Sequence, residues 1–362
     1  MPGRSVAGSA ATDSLTATLQ TRSTFAATDT SEEGERPVVD PSITVAEAGE
    51  AAVLDVLSAP GGRVGDDPVG NGDDAAVLGP AAATVVTTDM LVEGTHFRLD
   101  FSTWAEIGRR AVAQNVSDVL AMGAECSRVL VALAVPSETT MGQIADLAAG
   151  IRDEAARSGA VVVGGDFTGA ALVVVGVTAI GTLPRGAGPL RIDTAEPGDR
   201  VALTGLPGRS AAGLALITAG HRTGPLQSAH RVPAPPIGAG TAARRAGANA
   251  LTDVSDGLLR DLSGMTRASG VAADLVVDAL PVDPLLAEAA QTLGVTDPDE
   301  QIMDWVLDGG EDHGLLGTFP ASSTIPPEFT VIGTVRTGTP GEVTLNGTAR
   351  TPGGWDSARG AD

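Results

Sequence analysis

The stretch "VVTTDMLVEGTHF" (85–97) ends a short apolar run with a compact group of oxygen-bearing side chains. Its first residues predict a short buried β-strand, and Thr87, Thr88 and Asp89 follow at the strand end. Hydroxyl and carboxylate oxygens are the ligands that Mg²⁺ and Ca²⁺ prefer. An Asp after a strand is, however, more often a turn residue or a helix cap. The stretch alone therefore leaves a metal site and an ordinary turn both open.

Carboxylates recur in the same setting along both halves of the chain. The segment "WAEIGRRAVAQNVSDVLAMGA" (104–124) predicts an amphipathic helix that carries Asp118. Further acidic residues stand beside Gly, Ser or Thr at turns: Asp73, Asp74, Asp166, Asp253, Asp256, Glu311 and Asp312. Taken singly, each is most simply a turn residue. Their number and spread predict one cleft in which several Mg²⁺ ions neutralise both these acids and a polyphosphate.

Charge and composition exclude several classes of function. The formal net charge is −22, which argues against nucleic-acid binding because such proteins need a basic surface. The chain has no lysine, so all 23 basic residues are arginine, and mechanisms that use a P-loop, kinase or Schiff-base lysine are excluded. No apolar run reaches the length of about 18 residues that a transmembrane helix needs. The single cysteine, Cys126, suits a reducing cytoplasm.

Changes in composition divide the chain into three parts. Residues 1–42 are rich in Ser, Thr, Ala and Gly, and we expect a disordered extension there. Alternating strand and helix patterns fill 43–186, and a second such series fills 187–362. The Pro- and Gly-rich segment at 184–199 predicts the boundary between these two domains. The mixture of strands and helices in both predicts an α/β or α+β fold.

Three further features have two readings each. The segment "LTGLPGRSAAGLAL" (203–216) matches neither a P-loop nor a dinucleotide fingerprint, so it predicts either an anion site at a helix N-terminus or simple helix capping. His96 follows the strand-end group and is either structural or a substrate contact. Trp355 is a late aromatic in a chain with few of them. It predicts either packing of the tail or stacking on a ligand.

Several motifs together resemble the thiamine-monophosphate kinase family. In chain order they are "GDDAAVL", "VVTTDMLVEGTHF", "AVAQNVSDVLAMGA", "VVGGDFT", "VALTGLPGRSAAGLAL", "TDVSDGLLRDL", "DGGEDHGLL" and "GGWD", and the resemblance spans about residues 43–357. It implies an aminoimidazole ribonucleotide synthetase-like fold of two domains. In that fold an N-terminal mixed sheet with helices forms a homodimer and binds ATP, and a C-terminal α/β domain follows. The implied reaction is direct in-line phosphoryl transfer from ATP to thiamine monophosphate.

The resemblance also implies roles for individual residues. The implied magnesium shell is Asp73, Thr87, Thr88, Asp89, Asp118, Asp166, Asp253 and Asp256, of which Asp73, Asp89 and Asp118 are the implied catalytic residues. The implied ATP contacts are Gly165, Asp166, Arg191 and Ser255. The implied thiamine phosphate contacts are His96, Glu311 and Trp355. We expect Asp73 to bind metal and Asp74 to hold its loop.

Two motifs depart from the family pattern and keep other hypotheses open. The chain has "GGDFTGA" where the family has "GGDTTRG", and "GGEDHGL" where it has "GGEDYEL". One alternative is a sister enzyme of the superfamily that acts on a formylglycinamidine nucleotide or on selenide. Another is a catalytically inactive partner that binds Mg²⁺ and nucleotide. No membrane or nucleic-acid partner is expected.

Overall fold

The structure is a computed structural model that describes residues 40–49, 52–53, 56 and 83–354. The α-helices are α1 Val45–Ala48, α2 Trp104–Ala121, α3 Met141–Arg157, α4 Arg209–Thr218, α5 Pro225–Arg231, α6 Ala239–Arg245, α7 Leu258–Ser269, α8 Leu285–Leu293 and α9 Pro298–Asp308. The strands are β1 Ala83–Val92, β2 Glu125–Val135, β3 Val161–Gly169, β4 Val174–Leu183, β5 Arg200–Thr204, β6 Ala250–Val254, β7 Ala272–Leu275, β8 Gly314–Phe319, β9 Phe329–Arg336, β10 Val343–Leu345 and β11 Thr348–Ala349.

The first sheet has four strands in the order β1-β4-β2-β3. Strand β4 pairs antiparallel with β1 and β2, whereas β2 and β3 run parallel, so the sheet is mixed. The long helices α2 and α3 supply Val112, Val116 and Ile144 to the hydrophobic core that also contains β2 and β4. Both helices begin with a capping box, formed by Thr103 with Glu106 and by Thr140 with Gln143. These local signals fix where α2 starts, and therefore which of its side chains face β1.

Helices α2 and α3 approach each other through two glycines. A Cβ atom at Gly108 would lie 2.2 Å from the Leu147 carbonyl oxygen, and one at Gly150 would lie 2.0 Å from the Ala105 carbonyl oxygen. Each glycine therefore contacts the backbone of the opposite helix, and neither position accepts a side chain without moving that helix.

Replacing Gly150 with alanine is expected to destabilise the protein by about 1 to 3 kcal/mol, because the added methyl group forces the two helices apart. Thermal unfolding checks this directly. The matched control is Gly264→Ala in α7, where no atom lies within 4 Å of the added Cβ. That change should stabilise by about 0.5 to 1 kcal/mol through helix propensity. Equal effects of the two variants would contradict the close helix approach.

The second sheet has seven strands in the order β11-β10-β7-β9-β5-β8-β6. Strand β6 lies at its edge and pairs antiparallel with β8. Helix α7 packs Leu258, Leu259 and Leu262 into the hydrophobic core of this half. Because β6 ends at Val254 and α7 begins at Leu258, the connection between them is short, and it carries two of the predicted site residues, Ser255 and Asp256.

Most sequence predictions of helices and strands agree with the structure, and two helices were missed. Helix α5 is only 7 residues long, too short for a periodic pattern, and α8 lies in a segment between Pro284 and Gly294. The predicted domain boundary at 186/187 falls between β4 and β5. The predicted extension lies mostly outside the described residues, although Pro41 accepts a hydrogen bond from the Gly142 backbone N–H. No helix in the described ranges is long and apolar enough to span a membrane.

Candidate active site

Thr87, Thr88 and Asp89 lie in the middle of β1, which runs on to Val92, so the prediction that they follow a strand end was wrong. Two hydrogen bonds join Thr87 and Asp89 to α2. The Thr87 hydroxyl donates to Asp118 Oδ2 at 2.8 Å, and the Asp89 backbone N–H donates to Asn115 Oδ1 at 3.0 Å. Strand alternation places Thr87 and Asp89 on the face that α2 covers. Thr88 therefore lies on the other face, where its hydroxyl donates to the Val177 carbonyl oxygen at 3.0 Å. The structure brings Thr87, Asp89 and Asp118 together and leaves the Thr88 side chain apart from them.

Asp253, at the end of β6, belongs to the same group of charges although it comes from the second sheet. Burial, together with the negative charges of Asp253 and Asp89, raises the pKa of Asp118 to about 7. Burial also raises the pKa of Asp89; His313 opposes this increase and Asp253 adds to it. Carboxylates from both sheets thus concentrate negative charge in one place, which is the electrostatic condition for binding a cation.

The donor set fits magnesium better than a metal that needs a complete protein cage. Within the described ranges, no three acidic, His or Cys side chains converge closely enough to hold a metal by themselves. Mg²⁺ commonly takes one or two carboxylates and completes its octahedron with waters and substrate phosphates. Asp73, the predicted ligand from the opening Gly-rich loop, lies outside the described residues, as does Asp74.

The connection between β6 and α7 is held by a carboxylate that the sequence analysis missed. Asp261 Oδ2 accepts hydrogen bonds from the backbone N–H groups of Ser255, Asp256 and Gly257 at 3.1 to 3.2 Å. Burial raises the pKa of Asp261 to about 7, and the charges of Asp253 and Asp256 contribute. Asp261 therefore fixes the backbone that carries the predicted ligands Ser255 and Asp256.

The segment "GGEDHG" (309–314) sends three consecutive side chains to three different elements. Glu311 Oε2 lies 2.7 Å from Arg110 Nη2 of α2. Asp312 accepts from the backbone N–H groups of Gly208 and Ser210 at 2.6 and 2.9 Å. His313 Nδ1 lies 3.1 Å from Asp253 Oδ2. The segment therefore joins α2, the N-terminus of α4 and the end of β6.

This segment holds an uncommon backbone conformation. Glu311 and His313 have positive φ angles of 65° and 52°, which cost of order 1 to 3 kcal/mol each for a residue with a side chain. Two backbone hydrogen bonds hold the segment against β6, from Glu311 N–H to Ser255 O at 2.7 Å and from His313 N–H to Val254 O at 2.8 Å. Such strain persists only where surrounding contacts determine the conformation, and it is concentrated at functional sites.

The residues around Glu311 and His313 strongly shift the pKa values of both side chains. Burial acts to raise the pKa of Glu311, but Arg110 and His313 outweigh it and hold that pKa well below its usual value. Burial acts to lower the pKa of His313, yet the hydrogen bond to Asp253 and the nearby Glu311 carboxylate raise it to about 10. His313 is therefore a buried imidazolium between two carboxylates, and the departure from the family pattern at this position introduces a cation.

Asp312 decides between the two interpretations of the Gly-rich segment 203–216, an anion site or helix capping. The α4 N-terminus presents Gly208 and Ser210 N–H groups, and the Asp312 carboxylate accepts both of them. Burial raises the pKa of Asp312 to about 6, while these two hydrogen bonds oppose the increase. The helix end is thus capped by a carboxylate from elsewhere in the chain, so the capping interpretation is the one that agrees with the structure.

The remaining predicted site residues lie in several places. Gly165 and Asp166 lie on the edge strand β3, where a Cβ at Gly165 would be 1.9 Å from the Val131 carbonyl oxygen. Only glycine therefore fits position 165 with this strand spacing. His96 Nδ1 accepts from the Val92 backbone N–H at 3.0 Å, so Nε2 carries its proton. Arg191 forms a two-pronged ion pair with Asp193.

The C-terminal end of the described chain reaches the site. A Cβ at Gly354 would lie 2.3 Å from the Asp256 carbonyl oxygen, and Gly353 N–H donates to Asp308 Oδ1 at 2.9 Å. Trp355 follows directly in sequence and lies outside the described residues. The chain therefore approaches the β6–α7 connection just before the predicted substrate contact.

A cavity of about 440 Å³ lies near α4, and it is lined in part by Arg109, Arg209 and Asp312. Its two arginines are paired, Arg109 with Glu154 at 3.1 Å and Arg209 with Asp283 at 3.0 Å. Asp312 and part of the Gly-rich segment, including Leu203 and Arg209, line this cavity, whereas none of the residues implied to contact Mg²⁺, ATP or thiamine phosphate does. The cavity is therefore separate from Thr87, Asp89 and Asp118.

The two halves of the chain match two models of one protein class. Residues 72–183 match the family described as AIR synthase related protein, N-terminal domain, and residues 196–345 match AIR synthase related protein, C-terminal domain. The chain is therefore an AIR synthase related protein with both domains. The predicted two-domain fold is confirmed.

Individual relatives narrow the family further. The thiamine-monophosphate kinase of Mycobacterium tuberculosis is 43% identical over 319 residues, which cover 87% of this chain and 93% of that protein. The crystal structure of thiamine-monophosphate kinase from Stenotrophomonas maltophilia has a TM-score of 0.69 at 32% identity, covering 79% of this chain and 92% of that one. The structure titled AaThiL complexed with AMPPCP and TMP has a TM-score of 0.69 at 29% identity, covering 76% and 87%. The chain belongs to the thiamine-monophosphate kinase family, as its motifs predicted.

Proposed function

We propose that this protein transfers the γ-phosphoryl group of ATP to thiamine monophosphate and releases ADP and thiamine diphosphate. A terminal phosphate oxygen of thiamine monophosphate forms the new P–O bond as the bond between the γ-phosphorus and the ADP oxygen breaks. The observation that carries the proposal is the contact of Thr87 and Asp89 on β1 with α2, which carries Asp118, together with the influence of the Asp253 charge on the pKa values of Asp89 and Asp118. The family relatives that bear this activity in their names support the same conclusion.

Magnesium is part of this proposal. The residues that would hold it are Asp73, Thr87, Thr88, Asp89, Asp118, Asp166, Asp253 and Asp256. When bound, the ions would neutralise charge on the phosphates and hold them in line. Thr88 would reach the ions only through its backbone, because its hydroxyl lies on the opposite face of β1 and donates to the Val177 carbonyl oxygen.

The chain's own residues would bind and orient the two substrates. Gly165, Asp166, Arg191 and Ser255 would contact ATP, and Arg191 would exchange its present partner Asp193 for a phosphate. His96, Glu311 and Trp355 would contact thiamine phosphate. Phosphoryl transfer needs chiefly positioning and charge neutralisation, so no covalent nucleophile is required.

An assay with a panel of acceptors tests the proposed function. The purified protein, ATP and Mg²⁺ are incubated with thiamine monophosphate, thiamine, a formylglycinamidine nucleotide or selenide, and products are separated by chromatography. We expect thiamine diphosphate and equimolar ADP with thiamine monophosphate alone. Turnover only with another acceptor would support a sister enzyme, and nucleotide binding without any turnover would support an inactive partner.

A homodimer formed by the first sheet also belongs to the proposal. Val86 and Met90 are 62% and 58% exposed on the face of β1 opposite α2. Among the strands that the structure describes, β1 lies at the edge of its sheet, and such edges offer backbone hydrogen bonds to a second chain. Exposed apolar residues on an edge strand favour an interface between two copies. A cytoplasmic location completes the proposal and rests on the single, buried Cys126.

Placing two charges on this face is expected to separate the dimer. The double variant Val86→Asp, Met90→Glu should elute with the mass of a monomer in size-exclusion chromatography with light scattering. The control is Ile237→Asp, which charges an exposed apolar residue of the second half, 43% exposed. That control should keep the mass of the wild type. A dimeric mass for the double variant would place the interface elsewhere.

A further inference from the structure

Arg110 is a buried arginine whose charged group reaches from one half of the chain to the other. It lies within α2 and is 3% exposed. Its Nη2 lies 2.7 Å from Glu311 Oε2, and its Nη1 donates to the His230 carbonyl oxygen at 3.4 Å. The motif comparison assigned no role to Arg110, although Asp118 lies on the same helix two turns later.

Stability alone does not explain the ion pair between Arg110 and Glu311. Taking two charges out of water costs several kcal/mol per ion, and apolar replacements of buried pairs are often neutral or stabilising. In addition, Arg110 Nε is buried without a hydrogen-bond partner in the described part of the chain. An arrangement that leaves a buried donor unsatisfied indicates that the orientation of the guanidinium, rather than its burial, is what the fold maintains.

The ion pair between Arg110 and Glu311 determines which carboxylate oxygen of Glu311 is available to accept a further hydrogen bond. Arg110 Nη2 contacts Oε2, and His313 Nε2 lies 3.5 Å from the same oxygen. The described residues provide no hydrogen-bond partner for Oε1. Because the backbone at Glu311 is held at a positive φ of 65°, the carboxylate is directed by both its backbone and its cationic partners.

The charges around Arg110 come from several elements. Glu311 contacts it from the 309–314 segment, with His313 3.5 Å from the same Glu311 oxygen, and the His230 carbonyl oxygen approaches from α5. His230 Nδ1 lies 3.1 Å from Ser210 Oγ, which joins α5 to the start of α4. The position of Arg110 therefore depends on contacts from both halves of the chain.

We propose that Arg110 is a positioning residue that holds Glu311 so that its Oε1 accepts a hydrogen bond from a donor group of the phosphate-accepting substrate. This inference rests on the proposed function, in which Glu311 contacts thiamine phosphate. Arg110 acts through Glu311 and touches no substrate. Without the arginine, Glu311 turns toward whichever cation or water satisfies it, and the substrate loses its oriented acceptor.

The experiment compares four proteins in the thiamine diphosphate assay: wild type, Arg110→Gln, Glu311→Gln and the double variant. Arg110→Gln is expected to raise the KM for thiamine monophosphate by about 10- to 100-fold, the effect of one charge-assisted hydrogen bond, with little change in the KM for ATP. The double variant should be no worse than Glu311→Gln alone, because Arg110 acts only through that carboxylate.

Two further variants keep the test decisive. The matched control is Arg109→Gln, the preceding residue of α2, whose partner Glu154 retains Arg157. Its KM for both substrates should stay near that of the wild type. Should Arg110→Gln not fold, Arg110→Lys replaces it; the lysine keeps the charge without the fork geometry and should raise the KM for thiamine monophosphate alone.

The outcomes separate this inference from the proposed function. An active wild type with an unchanged KM in Arg110→Gln overturns the inference, as does an Arg110→Gln effect that simply multiplies with that of Glu311→Gln. An equal loss for ATP and thiamine monophosphate overturns it too, because it indicates general damage. A wild-type protein that makes no thiamine diphosphate overturns the proposed function and this inference with it.

Discussion

Asp118→Asn is expected to reduce turnover by about 100- to 1000-fold while leaving the fold intact, the scale of losing one electrostatic group at a phosphoryl-transfer site. Asparagine has nearly the shape of aspartate, and its Oδ1 can still accept the 2.8 Å hydrogen bond from the Thr87 hydroxyl. The change therefore removes one negative charge from the group that includes Asp89 and Asp253. In our proposal that charge binds Mg²⁺. The Mg²⁺ concentration needed for half-maximal turnover should therefore rise as turnover falls.

The measurement is kcat and KM over a series of Mg²⁺ concentrations, with unfolding curves to establish that the fold is retained. Asp146→Asn is the matched control, because Asp146 is an exposed aspartate on α3 and is not one of the clustered residues Asp89, Asp118 and Asp253. It should behave as the wild type at every Mg²⁺ concentration. Kinetics close to wild type for Asp118→Asn at limiting Mg²⁺ would rule out a metal role for this carboxylate.

The sequence predicted the strand and the helix that carry part of the candidate site, because strand and helix patterns are local. The strand with "TTD" and the helix with Asp118 are neighbours in the chain, and the structure joins them through Thr87, although β1 extends past Asp89 to Val92. Thr88 shows the limit of this reasoning. Reading hydroxyls as one group overlooked that alternate residues of a strand face opposite sides, so its hydroxyl bonds to β4 instead.

The pairings that hold the site together across the chain were not predicted. Arg110 and Glu311 are 201 positions apart, and Asp312 caps a helix that begins about a hundred residues earlier. No local pattern reports such pairs, because they depend on how the two sheets pack. Asp261 is different, since it stands in the first turn of α7, directly after the connection that it holds. An acidic residue there could have been read as a helix-start signal.

The metal-free protein is expected to be less stable at pH 8 than at pH 6. Asp118 and Asp261 have pKa values raised to about 7, compared with 3.8 in an unfolded chain. The folded protein therefore keeps protons that the unfolded chain has released. The stability from these protonated groups is fully present below 3.8 and is lost as the pH rises through about 7.

Two histidines also affect stability in this pH range. The pKa of His313 is raised to about 10, so its contribution also declines as the pH rises above 6.5, in the same direction. The pKa of His230 is lowered to about 3, so its opposite effect is nearly complete by pH 6.5. The sum is a loss on the order of 4 kcal/mol between pH 6 and pH 8 for these buried groups.

Thermal unfolding in a chelator and in Mg²⁺, at both pH values, checks this prediction. Mg²⁺ binds the ionised carboxylates, so it should raise the melting temperature more at pH 8 than at pH 6. A chelated wild type that is as stable at pH 8 as at pH 6 would contradict the clustering of charge.

Asp118→Asn connects this result to catalysis. Asparagine cannot ionise, so the metal-free variant should be more stable than the metal-free wild type at pH 8, and its dependence on pH should be weaker. Adding Mg²⁺ should raise the melting temperature of this variant less than that of the wild type. A change that abolishes turnover would then stabilise the metal-free fold, because the repulsion among Asp89, Asp118 and Asp253 that the fold tolerates is what attracts the cation. An Asp118→Asn protein with unchanged pH dependence would show that the unfavourable charge lies elsewhere in the site.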